Sequence, residues 1–400
     1  MSIGKRVLRR SVAVFYLLIG LEIIIMTTPF AAYFYAVYGP VLNFLYDYKI
    51  TAWLTGFFLP HAVVSRSELL NFLNRFGRTL FSLGLILFLI GALQVYTAKF
   101  RRKHMVTRVM YRWIRHPQYV FLGIAGLGLL LFWPRFIILI LYISMSFVYY
   151  LLARYEEQRM VEEHGDKYRE YMQRTAMFLP GEPGRKIFAA LFGWIKPPKL
   201  ALGVSYGIAL LAGVAVAFGL RSYTISQTSI VYLPEKQVTA ISILPLSDQS
   251  FQYILDDAYQ LGAVTDMIKS FRQEGHKGFL VHVTPRNYMM QGLFVQPSGS
   301  GMMPMRRLSW RGLLGFVFPF LRPRGHETMM GEMEGGEVRL IFSQLTWPNG
   351  EYAPPDKALN FTVKHLPLLK VDMNYRSHTV EKVERTPKRN FWGQMPMPLL

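Results

Sequence analysis

Cysteine is absent from the 400-residue chain. Its absence excludes a disulfide-stapled domain, a thiol nucleophile and a Cys-ligated metal. Charge is scarce as well: 18% of residues are Asp, Glu, Lys or Arg, where ordinary soluble domains carry about a quarter. Acid is the scarcer sign, 25 residues against 45 basic ones, for a formal net charge of +20. Apolar residues fill the gap, with 52% hydrophobic, 15% aromatic and a mean hydropathy of +0.21. A disordered or fibrous chain is thereby excluded. The basic excess is also uneven. Up to Lys199 the chain has 25 basic and 10 acidic residues, and beyond it 20 and 15. Basic residues beside long apolar runs point to a membrane rather than to nucleic acid. A multi-pass membrane protein with no nucleic-acid partner is expected.

A bilayer-spanning helix needs about 20 apolar residues, and five to six segments approach that length. Ser11 to Tyr38 carries one charge, Glu22, while Thr79 to Ala98 and Leu200 to Leu220 carry none. Pro117 to Leu152 carries only Arg135, in a Trp133-Pro134-Arg135 turn that divides the run into a hairpin of two short helices. Thr51 to Ser65 is short and holds Pro60 and His61; it reads as a span, a re-entrant piece or an interfacial helix. The first segment follows Lys5, Arg6, Arg9 and Arg10 but is too long for a cleaved signal, so an uncleaved anchor is expected. The basic stretches Lys99 to Arg115 and Arg154 to Lys199 flank the hairpin and should face the cytoplasm. With the N-terminus also inside, parity requires that Thr51 to Ser65 not cross fully. The last span then carries the C-terminal region to the opposite side of a membrane of bacterial inner-membrane type.

Two polar clusters bracket the hairpin. Arg112-Trp113-Ile114-Arg115-His116-Pro117-Gln118-Tyr119 precedes it. Pro117 suits a first helical turn, whose free N–H groups and positive dipole end attract a carboxylate. Arg154-Tyr155-Glu156-Glu157-Gln158-Arg159 follows the hairpin, then Glu162-Glu163-His164-Gly165-Asp166-Lys167-Tyr168, Tyr171, Arg174 and Phe178-Leu179-Pro180. Tyr168 and Tyr171 share one helix face. Aromatic rings beside a carboxylate suit an adenosine joined to a cation. Taken singly, such residues are ordinary snorkelling anchors at a membrane edge; the ordered set carries the signal.

That ordered set resembles the integral-membrane, S-adenosylmethionine-dependent methyltransferases of the isoprenylcysteine carboxyl methyltransferase and phospholipid N-methyltransferase superfamily, over about residues 76–180. The family's Gly-Pro-Tyr-Arg run is kept here as Tyr111-Arg112, with Val109-Met110 in place of Gly-Pro, and Gly123 follows Phe121-Leu122. The resemblance implies S-adenosylmethionine held at the cytosolic membrane face by His116, Pro117, Tyr119, Glu156, Glu157, Tyr168 and Tyr171. Arg115 and Arg174 would support or orient the substrate, a lipid or lipophilic small molecule. Methyl transfer from a sulfonium is an in-line displacement that needs alignment and a dry site. A carboxylate acceptor would need only an orienting cation such as Arg115 or Arg174. An amine acceptor would need a base, Glu156 or Glu157. Catalytic roles are thus expected for Arg115, Glu157 and Arg174, with no metal.

After Leu220 the texture changes. Ser222 to Leu233, Val238 to Leu246, Gly278 to Val283 and Val338 to Leu345 read as strands, and Ser250 to Gln273 as one amphipathic helix. Gly292 to Met305 reads as loop, Trp310 to Leu321 as a buried strand or membrane-surface patch, and Thr379 to Leu400 as an extended tail. The expected organisation is a methyltransferase-like membrane domain over 1–199, a transmembrane helix over 200–220, an α+β extramembrane domain over 221–378 and a tail over 379–400. No catalytic constellation appears in this half, whose role would be docking a protein partner, presenting substrate or capping. Two alternatives stand beside the methyltransferase: a non-catalytic membrane subunit or assembly factor on the same fold, and an NADPH-dependent sterol-type reductase.

Overall fold

In the computed structural model, the described residues are Ile24, Thr28 and residues 39–61, 63–100, 109–286, 333 and 335–386. Most of the Ser11 to Tyr38 segment, the Gly292 to Met305 loop, the Trp310 to Leu321 run and the end of the tail lie outside them. Two compact units are present. One comprises Met1–Ala36, Phe81–Leu127 and Ile140–Ala212, the other Val37–Leu80, Gly128–Leu139 and Gly213–Leu400.

The helices are α1 (Gly39–Asp47), α2 (Glu68–Phe100), α3 (Pro117–Phe132), α4 (Phe136–His164), α5 (Asp166–Arg174), α6 (Pro183–Phe192) and α7 (Pro198–Gln227). Three stretches are long and apolar enough to cross a bilayer: Glu68–Val95 in α2, Phe136–His164 and Pro198–Gln227. The hairpin expected over Pro117 to Leu152 forms as α3 and α4, broken at Trp133-Pro134-Arg135, but α3 has only 16 residues. Of the five to six hydrophobic segments expected, three are span-capable helices among the described residues, α3 is a shorter apolar helix, and most of the first lies outside them. Close packing of α2 on α3 depends on small residues. A Cβ on Gly84 would lie 2.5 Å from the Ala125 amide nitrogen, and one on Gly77, seven residues earlier, 2.8 Å from the Gly128 carbonyl oxygen. Backbones this near are the usual outcome of glycine on one face of an apolar helix.

Thr51 to Ser65 forms a 3-10 turn, Ala52–Thr55, followed by irregular backbone. Irregular chain in apolar surroundings must have its carbonyls satisfied by protein, and side chains of the second unit do so. Arg135 donates to the Thr55 carbonyl. Arg221 donates to those of Phe57 at 2.7 Å and Leu359 at 3.0 Å. Thr224 donates to the Phe58 carbonyl at 3.1 Å and Asn74 to that of Pro60 at 3.2 Å. Both guanidiniums are buried, and each also lies over an aromatic ring, Phe57 for Arg135 and Phe361 for Arg221.

The rest of the second unit is built on β1 (Ile230–Leu233), β2 (Val238–Ser242), β3 (Phe279–Pro285), β4 (Glu337–Thr346), β5 (Lys364–Asn374) and β6 (Thr379–Arg385), with α8 (Asp248–Gln260) and α9 (Gly262–Gln273) between β2 and β3. The sheet runs β1-β2-β3-β4-β5-β6; β2 and β3 are parallel and every other pair is antiparallel. A parallel pair needs a crossover, which α8 and α9 supply. β2 and β3 are buried at every residue, as central strands covered on both faces are. Phe279, Val281, Leu340 and Phe342 pack with Phe251, Ile254, Leu255 and Ile268 of the two helices.

Four elements differ from the sequence reading. Ser222 to Gln227, expected as strand, are the last turns of α7. Their hydroxyls bond into and beside the helix, Ser222 to the Phe218 carbonyl and Ser226 to that of Tyr223. Such back-bonding lets residues of weak helix propensity continue a helix that packing already holds. Ser250 to Gln273 is two helices, broken at Leu261, which has extended backbone (ψ 116°). β5 had no sequence counterpart. Its Pro367 sits where the β4–β5 register shifts, beside the Phe342/Ser343 irregularity, the place in a sheet where proline is tolerated. Thr379 to Arg385, within the expected tail, pairs with β5 as the sixth strand.

Candidate active site

The first unit brings together Arg115, His116, Glu157 and Glu156. On α4 a buried stripe of Met145, Tyr149 and Ala153 leads at helical spacing to Glu157, itself only 5% exposed. A carboxylate on a buried face needs partners. Arg115 Nε stands 2.5 Å from Glu157 Oε1. His116 lies between the two carboxylates, with Nδ1 3.3 Å from Glu156 Oε2 and Nε2 3.3 Å from Glu157 Oε1. Neither contact is a well-aligned hydrogen bond, so the attraction is mainly that of charge. Burial works against a charged His116, but the contacts with Glu156 and Glu157 outweigh it and raise the imidazole pKa above its ordinary value. Glu156 is the more open carboxylate, its side chain 35% exposed.

Pro117 opens α3 as its first residue, its missing N–H costing nothing there. One turn on, Tyr119 donates to Glu156 Oε1 at 2.5 Å and its ring stacks on Tyr149 at 4.8 Å between centroids. Tyr168 and Tyr171 lie on α5 with centroids 5.7 Å apart. Tyr168 is buried, and Tyr171 donates to the Tyr111 carbonyl at 2.5 Å. Burial pushes the Tyr171 phenol up to about 12, so it serves as a neutral donor.

The chain after α5 returns to brace the turn before Pro117. Arg115 N–H donates to the Ala176 carbonyl at 2.9 Å, His116 N–H to that of Met177 at 3.1 Å, and Ala176 N–H to that of Trp113 at 3.2 Å. The Arg115 guanidinium donates to the carbonyls of Met172, at 3.0 Å, and Thr175. Its other end stands 3.7 Å from Glu182. Arg115 therefore ties α4, α5 and the returning strand together. Arg174 is not part of the cluster: its side chain is 80% exposed and stands 3.8 Å from Glu170.

Two contributors were not anticipated from sequence. Tyr149 precedes Glu156 by seven residues on the same helical face, a spacing that could have revealed it. Glu182 is the one acid in the basic stretch Gly181 to Lys199. Phe178, in the Phe178-Leu179-Pro180 run that closes the second cluster, approaches His116 at 6.0 Å between rings. Val109, in the place where the resemblance expects glycine, has a φ of 59°. Glycine adopts that left-handed region freely and a β-branched residue does not.

The fold and cluster define an integral membrane protein with a polar, charge-paired centre on its apolar helices. Residues 76–167 match the family model for phospholipid methyltransferase, so this segment is a domain of the integral-membrane methyltransferase superfamily. The match covers less than a quarter of the chain but includes Arg115, His116, Pro117, Tyr119, Glu156 and Glu157. No curated protein and no solved structure matches the chain.

Proposed function

We propose that the chain transfers a methyl group from S-adenosylmethionine to an amine on a lipid or lipid-linked acceptor within the membrane. The observation that carries this reading is the pairing of Glu156 and Glu157 with the Arg115-His116-Pro117 turn, inside the segment that matches a phospholipid methyltransferase. The donor set fits the cofactor. An open carboxylate at Glu156 suits a cation, Tyr168 and Tyr171 offer rings and a donor to an adenosine, and the first turn of α3 offers N–H groups to a carboxylate. When bound, the cofactor supplies the electrophilic methyl group.

The residues take the following roles. Glu156, the more accessible acid, attracts positive charge and accepts the proton of an ammonium acceptor. Glu157 is held by Arg115 and His116 and keeps that end of the site anionic. Arg115 is a positioning residue, since its guanidinium is engaged by Glu157 and two backbone carbonyls. What favours an amine over a carboxylate acceptor is that both cations expected to orient a carboxylate are engaged, Arg115 here and Arg174 with Glu170 at the surface. Tyr119, held between Glu156 and the Tyr149 ring, fixes the carboxylate's direction.

The site faces the cytoplasm, as the basic residues flanking the hairpin favour, in a membrane domain over 1–199. Helix α7 leads to an extramembrane sheet domain that runs through β6, on the opposite side, where a protein partner docks. The size of this sheet domain, outside the matched segment, is what supports the second reading, a non-catalytic subunit. One experiment separates the two. The full chain in lipid nanodiscs is incubated with methyl-labelled S-adenosylmethionine and membrane lipid, and the lipid extract is counted. Label in lipid from the wild type, and its loss in Glu156→Gln and His116→Ala, is expected. Absence of both transfer and cofactor binding by the folded wild type overturns the reading.

A further inference from the structure

No residue of helix α6 is buried among the described residues. Its exposed apolar residues are not scattered. Ile187 and Leu191 are each 59% exposed and Trp194, just past the helix end, 78%. The three follow an i, i+4, i+7 pattern and form one stripe. The Trp194 indole N–H donates to the Leu191 carbonyl at 2.9 Å, which fixes the ring at the end of that stripe. Arg185 lies on the other side of the helix and stands 2.9 Å from Glu182. Glu182 also accepts from the Met177 amide at 3.2 Å, so the first turn is tied to the body of the unit and the stripe has a set direction. Arg185, Lys186, Lys196 and Lys199 supply the charge around it, and Glu182 is the one acid between Gly181 and Lys199. Six residues after Phe192, α7, long and apolar enough to cross a bilayer, begins at Pro198.

We propose that α6 is a membrane-surface helix whose partner is an anionic lipid leaflet. The stripe of Ile187, Leu191 and Trp194 enters the acyl boundary while the lysines contact headgroup phosphates and carboxylates. Continuity with α7 places the helix at a bilayer surface, and its basic flanks select a negative one. This seat is separate from methyl transfer, and its test reads no activity.

The cysteine-free chain allows one spin label at a time. Leu191→Cys and Ile187→Cys place the label on the stripe, and Lys186→Cys places it beside the stripe. Each full-length variant is reconstituted in nanodiscs of phosphatidylcholine alone or of phosphatidylcholine with phosphatidylglycerol. Collision with a water-soluble nickel chelate should be about threefold weaker at 191 than at 186 in the anionic discs. That contrast should shrink in neutral discs and after Lys196→Gln with Lys199→Gln. Equal chelate access at 186, 187 and 191 in anionic discs overturns the seat. Equal protection of 191 in both kinds of disc overturns its selectivity for anionic lipid. Dipolar broadening between labels at 191 on two copies would reveal a docked second chain and would also overturn it.

Discussion

The two units bury histidines in opposite ways. In the first, Arg115, His116 and Glu157 are all under 10% exposed and face one another, so charge is kept inside by pairing it. In the sheet of the second, His282 on β3 and His365 on β5 are equally buried, and burial is the dominant influence on both. Burial, with a smaller contribution from His365, lowers the His282 pKa to about 3. Burial lowers that of His365 to about 4 despite its contact with the Ala358 carbonyl. These histidines are neutral residues of a core, whereas His116 is held toward its charged form. A buried titratable group is thus no guide to function on its own. What marks the first unit is an arginine and a histidine from one turn set against two adjacent carboxylates of α4, an arrangement that costs desolvation.

The largest expected effect comes from breaking the paired cluster. Arg115→Ala leaves the Glu157 carboxylate and the Met172 and Thr175 carbonyls without their donor, and should cost about 3–5 kcal/mol. It would appear as a lowered thermal midpoint in detergent, with S-adenosylmethionine binding lost as a consequence. A double substitution, Arg115→Met with Glu157→Met, should recover most of the stability and none of the binding. If the double variant binds the cofactor, the pair is structural and the comparison fails.

The second effect is a difference in sign with pH. For His282 and His365 the folded pKa lies below the unfolded value of about 6.5. The unfolded chain therefore binds more protons as pH falls, and the sheet loses stability from about pH 6.5 down to about 4 through His365 and about 3 through His282. The limiting slope is about 1.4 kcal/mol per pH unit for each histidine. For His116 the folded pKa is raised. Its contribution is complete below the unfolded pKa and is lost as pH rises through the folded one. Hydrogen exchange corrected for intrinsic rates should show β3 and β5 opening in mild acid while the turn before Pro117 does not. Replacing both His282 and His365 with Gln should flatten the acid response of the sheet; an unchanged slope would assign it to other groups.

Legibility in the sequence also differed between the units. The paired cluster could be anticipated because its chemistry lies in short runs, Arg115-His116-Pro117 and Glu156-Glu157, on either side of an apolar hairpin. Arg115's role could not, because it depends on backbone carbonyls at Met172 and Thr175, and any residue type supplies a carbonyl. Nor could the surface position of Arg174 be told from a helix pattern so polar all round. In the sheet, β3 and β4 were legible as apolar runs. β5 was hidden by Pro367, and the end of α7 by serine and threonine whose hydroxyls serve the helix. Thr51 to Ser65 offered three readings because its conformation is set by Arg135 and Arg221, 80 or more residues away. Among the described residues of the matched segment, Val109 is where local sequence and backbone conflict, and it gives the third prediction. Val109→Gly relieves a left-handed φ and should stabilise the chain by about 1 kcal/mol, read as a rise in thermal midpoint.

The smallest expected effect is the sharpest control on the comparison. Arg115 and Arg174 were assigned together from sequence as orienting cations, and the fold separates them. Arg174 and Glu170 have side chains 80% and 68% exposed, 3.8 Å apart and one helical turn apart. Exposed pairs of this kind contribute about 0–0.5 kcal/mol. Arg174→Ala should leave the thermal midpoint within error, and cofactor affinity and methyl transfer within about twofold of wild type. Tenfold loss of transfer with unchanged stability would mean that Arg174 turns inward when substrate is present. A free cation at the site would then favour a carboxylate acceptor over an amine, because Arg115 itself is engaged by Glu157 and two backbone carbonyls.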